Sequence, residues 1–291
     1  MQTETLGKKA LHFPLTKIVI GILIVGGTVG LGQFLSSQLF NYLFVDVTLH
    51  KLLKGLITAV LSIFSYAVLF RFYEKRILTE LSTKGLGRNL ALGILLGSGL
   101  QALTIFVIYL NGGFYILGVN PVLFLLPALI MAFSSAIFEE VLVRGIIFRT
   151  LEEKLGSYIA LFISALIFGA MHLGNPNSTL SAAVGLALQA GLFLAAAFIW
   201  SRNLWFPIAI HFAWNFTQAG IFGATVSGNN IGKSLFTTKI EGAEWYTGGA
   251  FGPEGSIQAT VFCLVATCLL ILLSHRQSRI IKPFWKKPTD L

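Results

Sequence analysis

The stretch FEEVLVRGIIF, residues 138–148, places two adjacent glutamates and an arginine inside a hydrophobic run. Charged groups in apolar surroundings have to be solvated, paired or used in chemistry, because an isolated buried charge is strongly unfavourable. The fold of this chain therefore has to supply partners for Glu139, Glu140 and Arg144.

The rest of the chain is as apolar as this stretch. Of 291 residues, 55% are hydrophobic and only 11% are charged, and the mean hydropathy is +0.79. Soluble domains carry about 25% charged residues, so this composition excludes an ordinary soluble protein. It predicts an all-α polytopic membrane protein that forms a single membrane domain over residues 1–291.

Apolar runs of about 20 residues mark the candidate membrane helices. There are eight, and we expect them to surround an intramembrane polar cavity. They are 17–40, 52–73, 90–111, 121–148, 157–173, 180–200, 204–222 and 258–274.

Basic residues are distributed unequally between the ends of these spans. If the spans alternate from a cytoplasmic N-terminus, most of the 21 Lys and Arg residues lie on the cytoplasmic side, including Lys8, Lys9 and Lys17. The positive-inside rule then predicts two cytoplasmic termini, in the plasma membrane of a prokaryote. Anionic membrane lipids account for the net charge of +9, so no nucleic-acid partner is expected.

Of the twelve acidic residues, only Glu139 and Glu140 fall inside a predicted span. Glu140 and Arg144 are four residues apart, a spacing that favours an ion pair on one helix face. Glu139 points about 100° away from Glu140 on a helix, so it needs a partner from another span.

Two later spans offer such partners. FGAMHLGN contains Phe168 and His172 four residues apart, and HFAWNF contains His211 and Asn215 at the same spacing. A single intramembrane histidine is more often an interhelical contact than a catalytic group. Ionisable residues on three separate spans are too unfavourable to be explained by packing alone, so we expect one shared polar cavity.

Together these motifs resemble the signature of the CPBP (Abi) membrane peptidases, which include CAAX prenyl endopeptidases and bacteriocin-processing or self-immunity proteins. The signature is EExxxR, FxxxH and HxxxN on successive membrane helices, and the order and spacings match here. The resemblance implies a catalytic core at about 121–222, flanked by N-terminal helices in 17–111 and a C-terminal helix at 258–274.

The resemblance also implies an intramembrane endopeptidase that cleaves a membrane-associated peptide or lipid-anchored protein. Peptide hydrolysis needs a base for water and donors for the developing oxyanion. Glu139 with His172 is implied to activate the water, and His211 with Asn215 to stabilise the oxyanion.

Glu140 and Arg144 are implied to fix the fourth helix and to tune Glu139. Phe168 is expected only to pack. The sequence contains no HExxH motif and no aspartate within a span, which excludes zincin and aspartyl types. A non-cleaving adaptor or self-immunity protein, and a proton-coupled transporter, remain alternatives.

A metal ion is a further alternative, because Glu139, His172 and His211 form a known zinc donor set. The nearby charge of Arg144 disfavours a dication, and Asn215 is better suited to donate to an oxyanion than to accept from a ring. We therefore expect catalysis without a cofactor, with zinc as the alternative.

Two expectations concern the surroundings of the site. Because Glu139 and His211 lie nearer the basic ends of their helices, we expect the cavity to open toward the cytoplasmic side, past positions 143 and 208. The glycine-rich segment 223–256, which carries three glutamates including Glu254, is expected to be a solvated loop rather than a lid.

Overall fold

The computed structural model describes Leu11 and residues 13–286, which are mostly helical. Lys8 and Lys9, on which the predicted orientation partly depends, lie outside the described residues. The orientation of the chain in a membrane therefore stays a prediction.

The helices and strands follow one another in this order: α1 Pro14–Tyr42, α2 Val47–Tyr73, α3 Leu86–Leu110, β1 Phe114–Val119, α4 Leu125–Glu140, α5 Arg149–Met171, α6 Leu180–Leu186, α7 Leu192–Ser201, α8 Trp205–Asn215, β2 Phe236–Ile240, α9 Glu244–Thr247 and α10 Ile257–Arg276. Three π-helical segments continue α4, α6 and α8: Val141–Phe148, Ala187–Gly191 and Phe216–Ile221. Such wide turns occur often at functional sites.

Within the described residues, six helical segments are long and apolar enough to cross a membrane. The longest, Val122–Gly174, contains two predicted spans and is interrupted at Gly156, whose φ of 78° and ψ of 168° are not helical. Helix α8 and its π-helical continuation have 11 and 6 residues, at the lower limit of a bilayer span. The multi-pass character is clear, and the count of eight spans stays a prediction.

A small antiparallel sheet corrects the all-α expectation. Strands β1 and β2 pair from Phe114 opposite Ile240 to Val119 opposite Phe236. The segment between Gly112-Gly113 and Asn120-Pro121 has the flanking turn residues and the β-branched and aromatic content of a short strand. Because this segment is itself apolar and lies between two long apolar runs, the sequence pattern did not distinguish it as a strand.

A network of ion pairs closes one end of the helix bundle. Glu74 lies 3.0 Å from Lys17 Nζ, 3.0 Å from Arg149 Nη2 and 2.6 Å from Arg76 Nε. Burial by itself raises the pKa of Glu74, but the charge of Arg149 and the hydrogen bonds from these cations outweigh it and hold the pKa at about 2. Three of the basic residues predicted for the cytoplasmic side, Lys17, Arg76 and Arg149, are thus paired within the protein.

Helix α3 packs closely against α8 through two glycines. A Cβ on Gly97 would lie 2.2 Å from the backbone oxygen of Ile210, and one on Gly93 would lie 2.9 Å from that of Phe206. Small residues four apart let helix backbones approach closely in membranes. This contact fixes the depth and rotation of α8 directly beside His211.

Gly97→Ala should therefore displace α8 and lower the stability of the protein by about 1–3 kcal/mol, because the new methyl group meets backbone that cannot repack. Gly99→Ala is the matched control, since a Cβ there has nothing within 4 Å. Thermal unfolding of both variants in detergent checks this. Equal melting temperatures for the two variants would contradict the close approach.

Candidate active site

The motif residues come together at one level of the bundle. Glu139 and Glu140 are the last residues of α4, and His172 begins the short 3₁₀ turn that ends α5. His211 and Asn215 lie one turn apart on α8. All five residues are buried or partly buried, and four of them line the cavity described below: Glu139, His172, His211 and Asn215.

Glu140 and Arg144 form the ion pair that their spacing predicts. Arg144 Nη1 donates to Glu140 Oε1 at 2.8 Å, and both side chains are 0% exposed. Arg144 Nη2 donates to the backbone oxygens of Ala190 and Gly191, each at 3.1 Å. The guanidinium therefore connects α4 to the π-helical segment that joins α6 and α7.

Phe168 packs against three other side chains of the site. The Arg144 guanidinium lies 4.6 Å from the centre of the Phe168 ring, within cation–π range. The same ring contacts His172, with ring centroids 4.8 Å apart, and His211, at 6.1 Å. The Phe168 ring thus contacts the arginine and both histidines.

Each histidine is oriented through its Nδ1 atom. His211 Nδ1 lies 3.0 Å from Glu140 Oε1, and His172 Nδ1 lies 2.8 Å from the backbone oxygen of Phe168. Because a carboxylate and a carbonyl can only accept hydrogen bonds, Nδ1 carries the proton in both rings. The Nε2 atoms are therefore the ones available to a reactant.

Both Nε2 atoms face the carboxylate of Glu139. Glu139 Oε2 lies 3.7 Å from His172 Nε2 and 4.0 Å from His211 Nε2. These distances are too long for direct hydrogen bonds and suit a bridging water. The partner that Glu139 needs is thus a pair of histidines from two other helices.

Glu139, His172 and His211 have side chains of the types that bind metal ions. Their chemistry fits zinc, and the acceptors on both Nδ1 atoms resemble the outer-shell partners of metal-binding histidines. Ligands of a tetrahedral zinc lie about 3.3 Å apart, closer than the 3.7 and 4.0 Å found here. Within the described residues, no group of three or more His, Cys, Asp or Glu residues could hold a metal ion. The donor types therefore fit a zinc site, but the distances between them are longer than those between zinc ligands.

Two cavities meet at His172, His211, Asn215 and Ser227. The outer cavity, of about 980 Å³, extends from Glu139 along α4 to the segment 226–231. The inner cavity, with about 430 Å³ of empty space that is partly open to its surroundings, lies on the other side of the histidines. We use the names outer cavity and inner cavity for these two spaces below.

The expected opening past positions 143 and 208 is wrong. Val143 and Ile208 are buried, and every residue from Val141 to Phe148 is buried as well. The π-helical segment Val141–Phe148 is surrounded by other side chains on all sides. It therefore separates the site from the end of the bundle that carries the Glu74 ion pairs. The outer cavity instead extends toward the end of the bundle that carries segment 223–256.

The expectation of a solvated loop fails for Glu254, a residue that the sequence analysis did not place in the site. Its side chain is only 3% exposed and lines the inner cavity. Burial raises the pKa of Glu254 to about 7, against the lowering effects of a hydrogen bond from Ser227 and the charge of His211. Glu241 and Glu244, in contrast, are exposed, as a solvated loop requires.

Fold and site define a polytopic membrane protein with clustered ionisable groups between its helices. A family model described as type II CAAX prenyl endopeptidase Rce1-like matches residues 121–217, about a third of the chain. This model describes the CPBP family, so the resemblance indicated by the three motifs is confirmed for this region.

The family is one of proteases, which supports a peptide hydrolase with a protein substrate in a membrane at the level of the family. All six predicted site residues lie inside the matched range, and Glu254 lies outside it. No curated protein and no solved structure matches the chain in these comparisons.

Replacement of one partner of the buried ion pair should be far more damaging than replacement of both. Arg144→Met leaves Glu140 as a buried carboxylate that has lost its arginine and keeps only the bond from His211, and we expect a loss of about 3–5 kcal/mol. The double variant Glu140→Leu with Arg144→Met removes both charges and should recover at least half of that loss. Thermal unfolding in detergent measures both effects. A double variant no more stable than Arg144→Met would contradict a desolvated pair.

Proposed function

We propose that this protein is an intramembrane endopeptidase in which Glu139, with His172, activates a water molecule for attack on a peptide bond. The observation that supports this most directly is the approach of two Nε2 atoms, from two other helices, to the one carboxylate oxygen of Glu139. A base in this position reaches a water molecule that lies between the three side chains.

The reaction uses groups of this chain alone. Glu139 takes a proton from water, and the resulting hydroxide forms a bond to the carbonyl carbon of the substrate. The tetrahedral intermediate then loses the amine as the carbon–nitrogen bond breaks, and Glu139 returns its proton to the departing nitrogen. His172, fixed by its bond to the Phe168 carbonyl, orients the water through Nε2.

The oxyanion is the part of the intermediate that needs hydrogen-bond donors. Asn215 supplies its side-chain amide. His211 donates through Nε2 only when both ring nitrogens carry protons, because Nδ1–H is already directed at Glu140. The carboxylates of Glu140 and Glu139, at 3.0 and 4.0 Å, supply the negative charge that such an imidazolium requires.

A peptide or a lipid-anchored protein is the substrate class that this site suits. CAAX-type cleavage and the processing of peptides such as bacteriocins both place the scissile bond near a membrane. The outer cavity is the larger space beside Glu139, so we propose that the substrate enters there, from the end that carries segment 223–256. With eight spans and cytoplasmic termini, that end faces away from the cytoplasm.

Glu139→Gln should reduce kcat by at least about 10²-fold, because the amide cannot accept the proton of water. The full chain in nanodiscs is assayed with a quenched farnesylated CAAX peptide and with a peptide library analysed by mass spectrometry. Glu241→Gln, at an exposed loop carboxylate, is the matched control and should retain full activity. Cleavage that persists in Glu139→Gln would refute the mechanism.

The same preparation separates metal-free from zinc-dependent catalysis. We expect activity to persist after treatment with a chelator, and elemental analysis to find no stoichiometric zinc. Stoichiometric zinc that is lost and regained together with activity would instead assign Glu139, His172 and His211 as ligands. No cleavage of either probe, with solute flux into liposomes, would favour a transporter.

The route of entry has its own test, in a Cys268→Ser background that removes the exposed native thiol. Ser135→Cys, which lines the outer cavity one turn before Glu139, should react with a membrane-impermeant thiol reagent from the side of segment 223–256. Val143→Cys, in the sealed segment, is the control and should stay unreactive. Labelling of Ser135→Cys from the opposite side alone would overturn the proposed entry.

A further inference from the structure

The inner cavity is a mainly apolar space, partly open to its surroundings, with a carboxyl group in its wall. Its apolar walls include Phe193, Leu194, Ile210 and Trp214, and the histidines and Asn215 form the side that faces the outer cavity. Glu254 is the only carboxyl group among the described residues that line it, and no described lysine or arginine does so. A carboxyl group here has no cationic partner from the protein's lysines or arginines.

Glu254 is held rigidly by its surroundings. Its Oε1 atom accepts a hydrogen bond from the backbone N–H of Ser227, and its backbone oxygen accepts one from Gln189 Nε2 at 3.0 Å. The adjoining loop is fixed as well, since Gly228 N–H donates to the Phe251 oxygen at 2.7 Å. The carboxyl position is therefore set by the fold before any ligand arrives.

The loop uses only one of the two carboxyl oxygens of Glu254. Oε2 of Glu254 is buried and has no hydrogen-bond partner among the described residues. If Glu254 served only to fasten Ser227, a neutral glutamine would satisfy the same N–H without the cost of burying an ionisable group. Because Glu254 lines the inner cavity, we take its unpaired oxygen to be the atom available to a ligand with a matching donor.

The chemistry of that ligand follows from the walls. Lysine and arginine have long apolar stems and charged ends, so they fit an apolar cavity that has a carboxylate in its wall. A charge-assisted bond between ammonium or guanidinium and carboxylate is about twice as strong as a neutral one. A free carboxylate, as at a peptide C-terminus, would face like-charge repulsion at the same place.

We propose that the inner cavity binds a cationic group of the substrate, next to the scissile bond, through the side chain of Glu254. This inference rests on the proposed peptidase function and names its substrate class. The cation comes either from a lysine or arginine side chain or from a free amino terminus, and both present the same N–H donors. The pKa of about 7 at Glu254 agrees with a carboxyl group that ionises readily when a cation lies beside it.

The test uses the full chain in nanodiscs and a peptide set in which each position flanking the scissile bond carries lysine, arginine, acetyl-lysine, norleucine or glutamate. At one position, kcat/KM for lysine or arginine should exceed that for norleucine and acetyl-lysine about 10- to 100-fold. Peptides with an acetylated N-terminus and internal lysine, compared with lysine-free peptides that have a free N-terminus, distinguish the two sources of the cation.

Glu254→Gln should bring the lysine-to-norleucine ratio to within about threefold of one, and Glu254→Lys should invert it in favour of glutamate. Glu244→Gln, at an exposed carboxylate of the same segment, should keep the wild-type ratio. A ratio is compared within each variant, so a change in the folded fraction does not alter it.

A wild-type enzyme without preference for a cation at any position would overturn the proposal, and so would a preference that survives in Glu254→Gln. The wild-type comparison of lysine with acetyl-lysine needs no variant and decides the matter even if the variants do not fold. Failure of the peptidase function itself is seen separately, either as no cleavage of any peptide or as cleavage that does not depend on Glu139.

Discussion

The ion pair between Glu140 and Arg144 is the contact on which the rest of the site depends. Both side chains are fully buried, so each charge is tolerated only because the other is present. The pair also bonds to other helices: Arg144 donates to the carbonyls of Ala190 and Gly191, and Glu140 accepts from His211. A shift of any of these helices would leave a charge unpaired in apolar surroundings, which makes the pair a strong constraint on helix register.

The adjacent carboxylates of Glu139 and Glu140 have different surroundings and different proposed roles. Glu140 is 0% exposed and is committed to Arg144 and His211, whereas the Glu139 side chain is 20% exposed and faces two Nε2 atoms. The difference follows from helix geometry, because neighbouring residues point about 100° apart. One carboxylate can therefore face the protein core while the next faces the cavity, and a single helix end supplies both the support and the proposed base.

The ion pair and the long helices could be predicted from the sequence, because they depend on short spacings and on the lengths of apolar runs. The pairing of Glu140 with Arg144 needs only a helical separation of four residues, and long apolar runs mark the helices by length alone. The direction in which the cavity opens was not accessible, since it depends on how segment 141–148 is sealed by helices distant in the chain. The burial of Glu254 was hidden for a similar reason. Its loop turns through glycines with positive φ, such as Gly248 and Gly252, which a composition-based argument treats only as signs of a solvated loop.

The two cavities differ in the parts of the chain that line them. The residues proposed to carry out the chemistry all lie within 121–217, the range that matches the family model. Glu254 and Cys263, which close the inner cavity, come from the later part of the chain. Among the described residues, neither this loop nor the terminal helix supplies a hydrogen bond directly to the ion pair or to the histidine rings. Function resides in sites placed on a fold rather than in the fold itself. In this chain, the matched helices carry the residues proposed for hydrolysis, while residues outside the match contribute to the inner cavity, where we propose that substrates are selected.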